Sequence, residues 1–166
     1  KKFDADTYRI VLDYAMDGSV MLYASFATGF VAGGFAETCG TPVSCSAYDS
    51  EENENFEIGI KSDLLDGQLR LNAAIFNTKY ENLQRDTVVT VQDAAGNTFQ
   101  ETISANEGDT TATGAEIEVT WVPASNFRID AHLGYLNHEY DSYEPIPGSD
   151  YSNLETPFSP ESPGCP

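Results

Sequence analysis

The feature that most constrains this chain is a two-residue hydrophobic period, interrupted by connections that alternate between short and long. From Tyr8 to Met16 one parity holds Tyr8, Ile10, Leu12, Tyr14 and Met16, against Arg9, Val11, Asp13 and Ala15. Asp17-Gly18 is a hairpin-turn signal. Ser19 to Phe30 alternates again, with Val20, Leu22, Ala24, Phe26 and Phe30 on one side. Phe56, Ile58 and Ile60 oppose Glu57, Gly59 and Lys61, and a turn at Leu65-Asp66-Gly67 leads into Leu69, Leu71, Ala73 and Ile75. Beyond Ile75 the aromatic parity switches to Phe76 and Tyr80, which predicts a β-bulge or the end of the apolar stretch. Ala115, Ile117, Val119 and Trp121 follow, then a turn at Pro123-Ala124-Ser125-Asn126, then Phe127, Ile129, Ala131, Leu133 and Tyr135. No segment of useful length carries a helical period.

The expected fold is all-β: an antiparallel up-and-down meander of about six long strands, grouped as three hairpins. The turns near 17, 66 and 124 are tight, whereas the connections at about 31–55, 85–113 and 142–166 are long, acidic and rich in Gly, Ser and Pro. The second of these holds its own hairpin, with Val88–Val91 and Thr98–Glu101 flanking a turn at Asp93–Asn97. Strict alternation puts every short turn at one end of the sheet and every long loop at the other. A transmembrane β-barrel needs that polarity, with short periplasmic turns and long extracellular loops, and a soluble sandwich does not. One face is apolar; the other carries Arg9, Asp13, Glu57, Lys61, Arg70, Glu116, Glu118, Arg128 and Asp130, as a polar lumen would. A soluble sheet with one wet side shares the two-faced pattern, so the connections decide for a partial barrel.

Charge narrows the partners. Twenty-seven acidic and 8 basic side chains leave a formal net charge of −19, with which no basic face for a phosphate backbone can be assembled, so nucleic acid is excluded. Hydrophobic residues at 40% are too many for a disordered acidic tail. No apolar run approaches the length of a membrane-crossing helix, which leaves strand-type crossing open. Lys1-Lys2 is followed by Phe3-Asp4-Ala5-Asp6 instead of the apolar region of a signal peptide, and Thr156 to Pro166 is a Pro-rich stretch; both ends are expected to continue into a longer protein.

Tyr23-Ala24-Ser25-Phe26-Ala27-Thr28-Gly29-Phe30, followed by Gly33-Gly34-Phe35, resembles the barrel-strand signature of TonB-dependent receptors. Asn55-Phe56-Glu57-Ile58-Gly59-Ile60-Lys61-Ser62 is similar to the next strand of that family. Asp66-Gly67-Gln68-Leu69-Arg70-Leu71-Asn72-Ala73-Ala74-Ile75-Phe76, Tyr80-Glu81-Asn82-Leu83-Gln84 and Gly114-Ala115-Glu116-Ile117-Glu118-Val119-Thr120-Trp121 continue the likeness, which covers about residues 5–141. The resemblance implies a transporter in the outer membrane of a diderm bacterium. It would take up a scarce nutrient such as a ferric siderophore, energised through TonB, with no cofactor and no enzymatic activity. Such barrels have about 22 strands around a plug, so six strands are about a quarter of the wall. Residues 1–166 are then a partial barrel domain. Expected partners are outer-membrane lipid and lipopolysaccharide, the extracellular ligand, and TonB through an N-terminal region of the parent. Two rivals remain open: a soluble secreted β-sandwich that binds carbohydrate, and a passive porin.

Several candidate residues follow. Cys39 and Cys45 lie in the first long loop, where an oxidising outer surface permits a disulfide contributing about 2 kcal/mol on the chain-entropy model; two free thiols are the alternative. Cys165 makes the count odd. His132 and His138 share parity on the last strand, and His138-Glu139-Tyr140-Asp141 lacks the second histidine of a metalloprotease helix, so both read as lumen or rim residues. Gly29, Gly33 and Gly34 have the wrong spacing for a phosphate loop and are expected to let the strand bend at the rim. Acidic loop residues such as Glu37, Asp49, Glu51, Glu52 and Glu54 could attract a cationic ligand or bridge lipopolysaccharide through divalent ions, but a solvated surface explains them as well. No catalytic or metal-binding set stands out. Recognition is expected in loop residues 36–54 and 86–106, on the extracellular side. The leading ligand contacts there and beside them are Tyr48, Asn53, Asn55, Gln92, Asn97, Phe99 and Gln100.

Overall fold

The computed structural model describes residues 2–35, 45–92 and 95–144. Among these there is no helix. The strands are β1 (Arg9–Ala15), β2 (Val20–Val31), β3 (Gly34–Phe35), β4 (Ala47–Tyr48), β5 (Glu51–Leu64), β6 (Leu69–Glu81), β7 (Gln84–Gln92), β8 (Thr98–Asn106), β9 (Thr110–Ala124) and β10 (Phe127–Tyr140). Six of them form one antiparallel sheet in the order β1-β2-β5-β6-β9-β10, while β3-β4 and β7-β8 are separate two-stranded ribbons within the long connections. The six-strand meander and the extra hairpin are as the sequence predicts.

The strands reach further than the alternation alone marks. β2 runs to Val31 and β5 begins at Glu51, so the first long connection is 32–50 rather than 31–55. β6 ends at Glu81 and β9 begins at Thr110, so the second is 82–109. Asn53 and Asn55 are therefore strand residues, not loop residues. Most of the third connection lies outside the described residues. The added strand turns carry charges, such as Glu52 and Glu54, that break the apolar signal without breaking the ladder.

Of the two readings of the switch beyond Ile75, the bulge is not there. Pairing of β6 with both neighbours continues unbroken, from Leu69↔Leu64 to Glu81↔Glu52 on one side and Leu69↔Trp121 to Tyr80↔Thr110 on the other. The register shift instead falls between Phe127 and Ile129, where β10 leaves its turn. The parity switch at Phe76 thus marks the end of the apolar stretch.

Register joins the outward side chains into rows such as Leu12–Ala24–Ile58–Ile75–Ala115–Tyr135 and Tyr14–Leu22–Ile60–Ala73–Ile117–Leu133. Leu12 is 71% exposed and Leu133 69%, and no second sheet covers this face among the described residues. A carbohydrate-binding sandwich would bury such a face between two sheets. The apolar band also slides across the sheet. It starts at Tyr8, just before β1, whereas the same row on β10 holds Glu139 and the band there starts two rows lower, at Tyr135. Strands tilted across a bilayer produce that drift.

Candidate functional site

Twelve to fifteen residues in β2, β5, β6, β9 and β10 exceed the roughly 9–11 that a tilted strand needs to cross the hydrocarbon. The surplus projects at the long-connection end, and there the two faces exchange character. Outward positions become polar: Asn77, Lys79 and Glu81 on β6, Thr111 and Thr113 on β9, Asn137 and Glu139 on β10. Inward positions mix aromatic and small residues with Arg9, Asn53, Asn55 and His138. One inward row reads Val11–Ser25–Glu57–Phe76–Gly114–Leu136; above it stands Arg9–Ala27–Asn55–Thr78–Ala112–His138, and above that Gly29–Asn53–Tyr80–Thr110–Tyr140.

Local contacts shape this inner surface. The Phe76 ring lies over Gly114, where a Cβ would come within 2.4 Å of its Cζ. Asn55 Nδ2 donates to Thr78 Oγ1 at 2.7 Å. The Tyr140 ring sits 5.9 Å from His138 and meets Tyr143 edge-on at 5.8 Å. Thr110 is buried between the Tyr80 and Tyr140 positions, and its hydroxyl has no partner among the described residues. Lower on the same wall, Tyr23 donates to Glu57 at 2.6 Å and Lys61 Nζ lies 5.2 Å over the Tyr23 ring. Near the tight turns, Arg70 pairs with Asp63 and Arg128 with Asp130, each at 2.7 Å. His132 faces Glu118 at 3.6 Å.

A polar clasp ties the connections to this wall. Asp49 N donates to Asn106 Oδ1 at 2.7 Å, while Asn106 Nδ2 donates to the Asp49 and Asn82 carbonyls. Gln84 donates through its backbone to Glu51 Oε2 and through Nε2 to the carbonyls of Ala32 and Asp49. Arg85 Nη1 reaches Tyr140 OH at 2.9 Å and Glu107 at 3.3 Å. Its guanidinium is held above its ordinary pKa first by Tyr140 and then by the Glu107 carboxylate, so it stays charged. Because Tyr140 points inward, this contact draws the base of β7–β8 over the inner wall. Gly108, at φ 127°, closes the clasp against the Ser142 carbonyl, and no side chain fits there. Gly33 and Gly34 pack against Tyr48 and serve close approach rather than bending.

The predicted contacts fall in three places. Asn53 and Asn55 stand on the inner wall; Tyr48 lies in β4 against Gly34. Gln92, Asn97, Phe99 and Gln100 are at the tip of β7–β8, where Gln92 and Gln100 share one face, Phe99 takes the other, and Gln92 Nε2 closes the turn onto the Gly96 carbonyl. The structure does not gather them into one pocket. Cys45 is disulfide-bonded; Cys39, its expected partner, lies outside the described residues, as do Glu37 and Cys165. Among the described residues no group of three His, Cys, Asp or Glu is arranged to hold a metal. Sequence reading missed Gln84, Asn106, Arg85 and Tyr140, whose roles depend on contacts across 22–57 positions of chain. It held one usable signal, the parity switch at Phe76 and Tyr80.

The family described as TonB dependent receptor-like, beta-barrel matches residues 1–162. A metal-pseudopaline receptor, CntO of Pseudomonas aeruginosa, is 28% identical over 142 residues, which are 86% of this chain and 18% of CntO. The probable TonB-dependent siderophore receptor PiuA of Acinetobacter baumannii is 30% identical over 141 residues, 82% of this chain and 17% of PiuA. The ferric yersiniabactin uptake receptor FyuA of Yersinia pestis superposes with a TM-score of 0.64 at 20% identity, covering 85% of this chain and 20% of FyuA. The chain thus spans under a fifth of the length of these curated relatives.

Proposed function

The chain belongs to the TonB-dependent receptor β-barrel family, and from that premise we propose that its parent is an outer-membrane active transporter of a Gram-negative bacterium. Within it, residues 1–166 supply part of one barrel domain and its extracellular loops. The substrate is a scarce nutrient of the ferric-siderophore kind, and the energy comes through TonB, contacted by a region of the parent outside this chain. The observation that carries the reading is the sorting of the wall's two ends, with tight turns at one and clasped connections over an aromatic inner surface at the other. The family match favours this reading over a passive porin. Recognition is shared by the inner wall, with Asn53 and Asn55, and the hairpin tip, with Gln92, Asn97, Phe99 and Gln100, while Tyr48 braces the first connection. Outer-membrane lipid faces the apolar band, and lipopolysaccharide faces the polar outward rows above it.

The test is uptake of radiolabelled iron, presented as a panel of ferric siderophores, by cells that make the full-length parent with and without TonB. At least one complex should accumulate only when TonB is present. Accumulation that is indifferent to TonB would return the porin reading, and no accumulation of any complex would sink the proposal.

A further inference from the structure

We propose that β7 offers its open edge as a docking strand for an extended, basic segment of a second protein; this goes beyond the transport reading and does not depend on what is transported. β7 pairs with β8 alone, and among the described residues Arg85 to Gln92 make no backbone hydrogen bond outside that ladder. In an antiparallel pair alternate residues turn their N–H and C=O groups away from the partner strand. The outer side of β7 is therefore a row of open donors and acceptors. β1 and β10 also end a sheet, but on the barrel reading further strands of the parent continue them. β3 and β4 hold two residues each, too few for a docking ladder.

Exposed edges are ordinarily guarded by lysine, proline, a bulge or sheer brevity. β7 has none of these guards. It is nine residues long without Lys, Pro or Gly, and its register runs unbroken from Gln84↔Asn106 to Gln92↔Thr98. Its charges, Arg85 and Asp86, sit at the base. Beyond them Thr87-Val88-Val89-Thr90-Val91 is a continuous β-branched run, the composition that best suits a pleated ladder. The ribbon is also held in shape before any partner arrives. Gln84 and Asn106 anchor its base in the clasp, Val89, Val91 and Ile103 are buried along its middle, and Gln92 Nε2 closes its turn. Docking on such a strand has to order the partner only.

Charge and side-chain alternation name the occupant. Residues 84–106 carry Asp86, Asp93 and Glu101 against one cation, Arg85, which is paired with Glu107. A second copy of this ribbon would bring the same carboxylates to the edge and be repelled, whereas a strand rich in Lys or Arg is attracted. Side chains of an added strand alternate between the two faces. On the open face they meet Val88, which is 41% exposed, and Thr90, with Asp86 and Gln92 to either side. The fitting segment places β-branched residues against Val88 and Thr90 and basic residues at the alternate positions.

The experiment uses the full-length parent in non-ionic detergent and capped peptides matched to β7 in length. One alternates Lys with Val or Thr, one has Glu in place of Lys, and one repeats the first with N-methylated backbone amides. The basic peptide should bind at least about tenfold more tightly than either other peptide. Its binding should slow amide exchange within 85–92 by about tenfold or more and leave β5 and β6 unchanged. Val88→Lys sets a like charge beside the added strand and should weaken binding by about tenfold. Thr102→Lys, at the cross-strand position on β8, adds the same charge one strand further from the edge and should weaken it by no more than about threefold. Each variant is first checked for heat-modifiable barrel mobility and for unchanged exchange in the hairpin without peptide. Equal binding of the three peptides, equal losses in the two variants, or no binding at all overturns the proposal. Protection of 85–92 that rises with receptor concentration alone gives the edge to a second copy and overturns it as well. None of these outcomes bears on TonB-dependent uptake, so the transport reading stands or falls separately.

Discussion

The six-stranded wall and the β7–β8 hairpin are built from the same period of two, yet they solve opposite problems. In the hairpin, Val89, Val91 and Ile103 are buried, and they make up the buried hydrophobic cluster of the described residues. In the wall, Leu12, Leu22 and Leu133 stand exposed along a continuous band. Isoleucine or leucine on one face of a ribbon is the same physical statement in both. The difference is what lies against that face: protein in the hairpin, and, on the transport proposal, hydrocarbon for the wall. On that proposal the wall's stability depends on lipid, whereas the hairpin carries its own small core on a polar base.

Substitutions can break or sharpen this comparison. The largest effect is expected at mid-height on the wall. Arginine at Leu12, Leu22 or Leu133 in the full-length parent should cost about 2–4 kcal/mol in folding titrations into lipid vesicles. Arginine at Asp13 or His132, on the inward parity of the same strands, should cost much less, and equal penalties on both parities would end the barrel reading. Next comes Ile103→Ala, whose cavity should destabilise the hairpin by about 2–4 kcal/mol. Hydrogen exchange should then speed up across 84–106 and stay unchanged in β5 and β6; a loss spread evenly over the wall would show the two regions to be one cooperative unit. Asn106→Ala removes hydrogen bonds to Asp49 and Asn82 and should loosen the clasp by about 1–3 kcal/mol, read as faster proteolysis within 45–50. The control is Asn77→Ala, whose exposed bond to Thr113 on the outer face should be worth almost nothing by the same assay.

The smallest expected effect is a gain. Leu65 sits at φ 53° in the turn between β5 and β6 and is 62% exposed, so its side chain contributes little packing to offset the left-handed backbone. Leu65→Asn should stabilise the wall by about 0.5–1 kcal/mol, since Asn tolerates that conformation better. A urea titration that shows a loss instead would mean that Leu65 packs against a neighbour beyond the described residues.

The wall was largely legible because a strand records its environment in its parity. Leu69, Leu71, Ala73 and Ile75 against Arg70, Asn72 and Ala74 name the two faces without any partner strand. Strand ends were less legible: Glu52 and Glu54 read as loop because charge on the outward face looks like the end of a strand. The candidate site was legible only in part. Asn53 and Asn55 fall on the inner surface, but their partners in space, Tyr80, Thr110 and Tyr140, come from β6, β9 and β10.

By itself the sequence determined an all-β meander, the parity of each strand and the end at which the long connections gather, since all three follow from spacing along one chain. Only the tertiary structure decided height and contact. Parity says which face a residue takes but not whether lipid, water or another loop lies there; the register between strands sets that. The switch at Phe76 is ambiguous for this reason. A bulge and a strand leaving the membrane produce the same letters, and only the unbroken pairing of β6 with β5 and β9 tells them apart.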